Sequence, residues 1–327
     1  MRALWIALAS AGLLSACGGG GGDSTPPPAA TVTITSANQD AVARAAAGAV
    51  VSLGGTGSGG GLTSSERSTA AALVRQSATR LAATRKRALA IPSETAPCTV
   101  SGSVTVSFTD ADGNNALNVG DTMTTTFANC KETADDSLSG SYAVRLTLID
   151  VDVNGFLRFD GTVTFSQLNA TVGDRSATLS GSASMTYAER SSTRLDVTLS
   201  VGSAGLSSSL TADGLTETIG YDPEFAYSET STFDATTGAL QSTSTLVGGG
   251  FSSSAIGGRV YLETQQAVTQ FAGEDYPRGG ALRVVGNGSA LRLTALPTAL
   301  VRIELDANLD GSYEASKEIA WLLLLPT

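Results

Sequence analysis

From Cys98 to the C-terminus, apolar residues recur at every second position. The runs "VSGSVTVSF", "SYAVRLTL", "FDGTVTFSQL", "ATLSGSASMTY", "TRLDVTLSV", "RVYLET", "ALRVV", "ALRLTAL" and "LVRIEL" set an apolar residue against Thr, Ser or a charge. Val144, Leu146 and Leu148 point one way and Arg145 and Thr147 the other, as in a strand with one buried face. Gly, Asp and Asn fill the short gaps between runs. Roughly twelve to sixteen strands fit, with no long helical interruption, so residues 98–327 are expected to form an antiparallel meander and not β-α-β units.

Before that domain the period is helical. Ser36 and Gln39 match a capping box, which predicts a helix from about Ala37 with Ala41, Val42, Ala45, Ala46 and Ala49 on its apolar face. Thr31 to Thr35 read as a short strand. A glycine-rich link, "GGTGSGGG", precedes a second capping box at Thr63 and Glu66. The helix it opens is expected to run to about Ala90, ahead of Pro92. Its apolar stripe is Ala70, Leu73, Val74, Ser77, Leu81, Thr84, Ala88 and Ile91. Arg67, Arg75, Arg80, Arg85, Lys86 and Arg87 form the other side, a face for solvent, for a membrane surface or for an anionic partner.

A sheet with one apolar face must cover it. Two Ala-rich helices with small side chains can approach a sheet closely. The expected fold is therefore mainly β: a large curved antiparallel meander, half-barrel-like, with two N-terminal Ala-rich helices packed on it. A transmembrane barrel is the rival reading, since it also needs alternating strands of about ten residues. The helices and the absence of aromatic girdles argue against it.

The N-terminus gives an address. "MRALWIALASAGLLSA" is one positive charge followed by an apolar run, the form of a secretory signal. It ends in Leu13-Leu14-Ser15-Ala16-Cys17, which resembles the lipobox of bacterial lipoproteins. That resemblance implies cleavage before Cys17 and lipidation of Cys17, with a membrane as the first partner. Gly18, in place of the Asp that retains such proteins at the inner membrane, implies the outer membrane, facing the periplasm or the cell surface. The resulting organisation is a signal over 1–16, a lipidated Cys and Gly/Pro tether over 17–35, a helical segment over 36–92 and the β domain over 98–327.

Composition narrows the chemistry. The chain has no histidine, which removes the commonest general base, the commonest zinc ligand and every Ser-His-Asp triad. A net charge of −10 argues against nucleic acid as a partner. With Cys17 lipidated, Cys98 and Cys130 remain, and an exported chain is expected to pair them. Such a bridge would stabilise the fold by roughly 3–4 kcal/mol. Oxygen-ligand metals, chiefly calcium, are the cofactors still open.

Two loops carry that possibility. In "DADGNNALNVGD", Asp110, Asp112, Asn114, Asn118 and Asp121 fall at positions 1, 3, 5, 9 and 12 of an EF-hand-type loop, with Ala116 at the backbone-carbonyl position. Asn115 stands where such loops have Gly, and Asp121 is shorter than the usual Glu. In "DANLDGSYE", Asp306, Asn308, Asp310 and Glu314 occupy positions 1, 3, 5 and 9, with Gly311 at 6. Lys317 at position 12 is the wrong charge. "DVDVNG" at 150–155 is a third acidic turn. Each also reads as a hairpin turn. The first raises a question of register: Val104, Val106 and Phe108 are even and Met123 and Phe127 odd, so a bulge or an odd loop offset must bring them to one face.

The "ITSANQDAV" segment, the "DADGN…GD…NC" hairpin and the ending "IELDANLDGSYE…IAW" resemble a group of uncharacterised lipoproteins of β- and γ-proteobacteria. The resemblance implies no activity. No GxSxG, HExxH, P-loop or dinucleotide fingerprint is present. The expected function is that of a non-catalytic structural or binding module. A carrier of an apolar ligand such as lipid is the alternative, and a carboxylate-based hydrolase the third.

Overall fold

The computed structural model describes residues 29–54, 70–85, 93–212 and 214–324. The signal, Cys17, the tether through residue 28, the box at Thr63 and Glu66, Arg67, Lys86, Arg87, Ala88 and Ile91 lie outside them, as do the side chains of Thr84 and Arg85. The described chain forms α1 (Gln39–Gly54), α2 (Ala70–Arg85) and fifteen strands in one antiparallel sheet. These are β1 (Ser93–Pro97), β2 (Ser101–Thr109), β3 (Thr122–Lys131), β4 (Asp136–Val151), β5 (Leu157–Val172), β6 (Arg175–Ser191), β7 (Arg194–Ala212), β8 (Leu215–Tyr221), β9 (Ala226–Phe233), β10 (Leu240–Ser253), β11 (Gly258–Phe271), β12 (Gly279–Val285), β13 (Ala290–Leu296), β14 (Leu300–Asp306) and β15 (Ala315–Ala320).

The strands meander in sequence order, with one exception. β8 pairs with the C-terminal part of β7 and β9 with its N-terminal part, and both reach β10. They are two halves of a single strand position, interrupted at 222–225. The interruption is still bonded: Val201 N–H donates to Phe225 O (2.9 Å) and Asp222 N–H to Gly250 O (3.0 Å).

Register shifts recur across the middle of the sheet, and they decide which side chains are buried. In β5, Leu157, Phe159, Val163 and Phe165 are buried, and beyond the shift between Phe165 and Leu168 the buried residues are Leu168 and Ala170. The extra residue, Gln167 at φ 47°, keeps the apolar set on one face although its numbering changes parity. Gly140 opposes it at φ 97°, and a Cβ there would lie 2.3 Å from Gln167 O. A shift in β4 between Leu146 and Leu148 corrects the sequence expectation. Leu148 leaves the series of Val144 and Leu146, and Ile149 and Val151 pack against the core instead.

The helices cover the apolar face. α1 lies against β9, β10, β12 and β13, and α2 against β5, β6 and β7. Val42, Ala45, Ala46 and Ala49 of α1 are fully buried, as are Ala70, Leu73 and Leu81 of α2. Each large apolar side chain so buried contributes about 1.5–3 kcal/mol. Where Ala49 meets the sheet, its carbonyl accepts the Tyr221 hydroxyl at 2.9 Å. The cap of α1 differs by one residue from the expected Ser36–Gln39 box. Asn38 Oδ1 accepts the Thr35 N–H (2.8 Å), and Thr35 O accepts the Asn38 and Gln39 N–H groups. Thr31 to Thr35 form no strand; they are an extended strap bonded to Arg259, Asn287 and Ser289.

Among the described residues, β15 does not pair with β1, so the sheet stays open. Both edges are blunted: β1 is short, fully exposed and ends in Pro97, and β15 carries Lys317 and Glu318. No described helix is long and apolar enough to cross a membrane.

Candidate functional site

The Cys98–Cys130 disulfide is formed, with a Cα–Cα distance of 5.4 Å. It closes the segment holding the β2–β3 hairpin. Within that hairpin Val104 faces Phe127, Val106 faces Thr125 and Phe108 faces Met123, even against odd. The loop length therefore supplies the offset that the sequence requires, and a further shift near Gly102 adjusts the pairing beside the disulfide.

The loop is built by carboxylates accepting backbone N–H groups. Asp110 Oδ1 accepts from Asp112 (3.2 Å) and Gly113 (2.7 Å), and its Oδ2 from Asn115 (2.6 Å). Asn115 takes φ 59°, the left-handed turn for which Asn substitutes for Gly. Asp112 Oδ2 accepts from the side-chain amides of Asn114 (2.9 Å) and Asn118 (3.0 Å). Asp121 is 1 % exposed and closes the loop, accepting Ala111 N–H on one oxygen (2.9 Å) and Asn118 N–H on the other (2.8 Å). The Asn118 Oδ1 atom is buried without a hydrogen-bond donor. The Asn115 N–H, above all, lowers the pKa of Asp110 below the ordinary carboxylate value.

At the β14–β15 turn, Asp306 is 2 % exposed and accepts from Asp310 N–H (3.2 Å) and Gly311 N–H (3.0 Å). Asn308 Oδ1 also accepts from Asp310 N–H (3.1 Å), and Glu314 Oε2 accepts Ala307 N–H (2.8 Å). Asp310 is lowered chiefly by the Ser312 N–H. Lys317, at the position where a loop of this kind would close, turns instead to an ion pair with Asp40 in the first turn of α1. In the third turn Asp152 accepts Asn154 and Phe156 N–H groups (2.8 and 2.9 Å).

Two of these groups could hold a metal ion. Ligand oxygens of Asp110, Asp112 and Asp121 lie within 4.8 Å of one another, and so do those of Asp306, Asp310 and Glu314. Cys98, Cys130 and Glu132 also cluster, but the sulfurs are joined to each other and offer no thiolate. The first loop fits an oxygen-ligand cation better. It brings the position-12 carboxylate into the cluster, and its buried Asn118 oxygen has spare acceptor capacity. The second lacks a closing carboxylate. The two lie at opposite ends of the sheet: β2 runs into the first loop at the end where β4 finishes, and β14 runs into the second at the end where β12 finishes.

One charged cluster was not anticipated. Glu229 of β9 is 2 % exposed, on the helix-covered face, and accepts from Tyr227 Oη (2.6 Å), Ser231 Oγ (3.1 Å) and the Arg75 guanidinium of α2. Arg75 thus corrects the expectation that it belongs to a solvated basic face. Nearby Glu189 accepts Leu157 N–H (2.8 Å) and Tyr187 Oη (3.0 Å). Burial, with the adjoining glutamate charge second, raises the phenol pKa of both Tyr187 and Tyr227. The signal was present in "AYSETSTF": Tyr227, Glu229, Ser231 and Phe233 share parity, which sets a carboxylate on the buried face.

Comparison of the chain with family models, curated proteins and solved structures finds no match.

Proposed function

We propose that this chain is a lipid-anchored outer-membrane lipoprotein of a bacterium, non-catalytic, whose sheet is a structural or binding module clamped by a disulfide and by calcium. The observation that carries this reading is where the carboxylates converge. At Asp110, Asp112 and Asp121 they meet on a hairpin tip, are oriented by backbone N–H groups and keep lone pairs for a hard cation. The buried carboxylate Glu229, by contrast, is ion-paired with Arg75, bonded by the Tyr227 and Ser231 hydroxyls, and serves to seat α2. That pattern supports a role for acidic groups in holding the fold and not in proton transfer to a substrate.

Asp110, Asp112 and Asp121, with Asn114 and Asn118, would bind calcium at the first loop; Asp306, Asn308, Asp310 and Glu314 would bind it more weakly at the second. Calcium would neutralise the crowded carboxylates and stabilise the folded chain by mass action. The anchor rests on the Leu13–Cys17 motif and the glycine tether that follows.

Native mass spectrometry of the membrane-extracted protein tests all three parts. The expected species begins at an acylated Cys17, is lighter by two hydrogens for the Cys98–Cys130 bond and carries one calcium, with a second at higher concentration. A chain retaining residues 1–16, or one that takes up no calcium at millimolar levels, would refute the corresponding part.

A further inference from the structure

The described chain begins at one end of the sheet, and it is fixed there. Thr31 and Val32 N–H groups donate to Arg259 O (3.0 and 3.3 Å), and Arg259 N–H donates back to Thr31 Oγ1 (2.9 Å). Asn287 N–H donates to Val32 O (2.7 Å), and Ile34 N–H to Ser289 Oγ (2.7 Å). Two glycines clear the path of this strap. A Cβ at Gly258 would lie 2.6 Å from Thr31 Oγ1, and one at Gly286 would lie 2.4 Å from Val32 O. The exit point is therefore held against the β10–β11 and β12–β13 loops by backbone bonds.

The antiparallel register sorts the other loops. The β14–β15 loop shares the strap's end of the sheet with the β10–β11 and β12–β13 loops. The β2–β3 loop with Asp110 to Asp121, the β4–β5 turn with Asp152 and the β9–β10 turn with Asp234 lie at the opposite end. Strands β4 to β7 run 16 to 19 residues, about 50–60 Å along their contour.

The segment between Cys17 and the first described residue is short against that length. Twelve residues, Cys17 to Pro28, precede Ala29: five glycines follow the anchor directly and three prolines end the segment. Twelve residues reach only about 40 Å even at full extension. A lipid at Cys17 thus keeps the strap's end of the sheet near the bilayer and leaves the far end beyond its reach.

We infer that the sheet stands on the membrane by its strap end, with lipid headgroups as the neighbours of the β10–β11 and β12–β13 loops, and presents the Asp110–Asp121 and Asp152 loops outward. The inference rests on the lipid-anchor reading above. In that orientation the loop that fits calcium better is the outward one, and the loop tied to α1 is the membrane-near one.

The test uses the lipidated full-length protein in phosphatidylcholine–phosphatidylglycerol vesicles that contain a fluorescent acceptor lipid. A donor dye is placed by Ala255→Cys in the β10–β11 loop or by Val153→Cys in the β4–β5 turn, both exposed positions. Asn287→Cys repeats the near-end measurement from a second exposed loop. Energy transfer to the lipid is expected to be several-fold greater from positions 255 and 287 than from 153. Equal or reversed transfer on vesicles that still float with bound protein overturns the orientation and leaves the anchor standing. Loss of co-flotation by the wild-type chain overturns the anchor and the orientation together.

Discussion

The β2–β3 and β14–β15 loops begin with the same chemistry. Asp110 gathers the N–H groups of Asp112, Gly113 and Asn115, and Asp306 gathers those of Asp310 and Gly311. Eleven residues after each opening aspartate the loops diverge. Asp121 folds back, buried, onto Ala111 and Asn118; Lys317 leaves its loop to pair with Asp40 on α1. An Asp-rich opening is turn chemistry that any hairpin can use. The closing residue decides whether the loop becomes an oxygen cage or a tie between sheet and helix.

Removing the two closing residues should therefore have unequal effects. Asp121→Ala strands two N–H groups that now donate to a buried carboxylate, and hydrogen bonds to charged groups are worth about 1.5–3 kcal/mol each, so the expected loss is about 3 kcal/mol. Lys317→Ala breaks a partly exposed ion pair, for which the expected loss is under about 1 kcal/mol. Urea unfolding of both variants in the presence of chelator measures the contrast. Similar losses would mean that the two loops are closed by equivalent interactions after all.

Calcium sharpens the same contrast at smaller amplitude. At ten times its dissociation constant, a cation that binds only the folded chain adds about 1.4 kcal/mol. The thermal midpoint should rise accordingly when calcium replaces chelator. The combined Asp110→Asn and Asp112→Asn change should abolish most of that rise, and Asp310→Asn only a minor part. A rise lost equally in both variants would give the loops equal standing, and no rise in the wild type would remove calcium from the account.

Much of this was legible in the sequence. Alternation at Val104, Val106 and Phe108, set against odd-numbered Met123 and Phe127, required an odd register, and the hairpin has it. The spacing of Asp110 to Asp121 marked the carboxylates that converge. The bulges were hidden, because an extra Thr or Gln on a Ser/Thr-rich face does not stand out; Leu148 was misplaced because of the extra Thr147. Arg75 was hidden differently. Helical periodicity puts it beside the apolar stripe among other basic residues, and its partner Glu229 is 154 positions away. Parity in β9 marked Glu229 as inward, but nothing local named the cation that meets it. For α1, Ser36 and Gln39 match the S/T-x-x-E/Q box and Thr35 with Asn38 does not, so the one-residue difference emerges only from the bonds at Thr35.

The smallest expected effect lies at low pH, where the two loops can be compared without metal. Asp110 and Asp310 both have lowered pKa values, the first chiefly through the Asn115 N–H and the second chiefly through the Ser312 N–H. A carboxyl lowered by folding stabilises the native state above its unfolded pKa, near 4, and loses that contribution as pH falls through its folded value. The thermal midpoint in chelator should accordingly decline below about pH 4, and above about pH 5, where the contribution is complete, these groups should add no pH dependence. Asp110 accepts three backbone N–H groups and Asp310 one, so Asp110→Asn should flatten the acid limb more than Asp310→Asn. Asp110 is half-buried and Asp310 exposed, and water screens both, which keeps either change small. The reverse ranking, from midpoints measured between pH 3 and 6, would place the stronger native bonding in the β14–β15 loop and undo the distinction between a self-closed loop and a tied one.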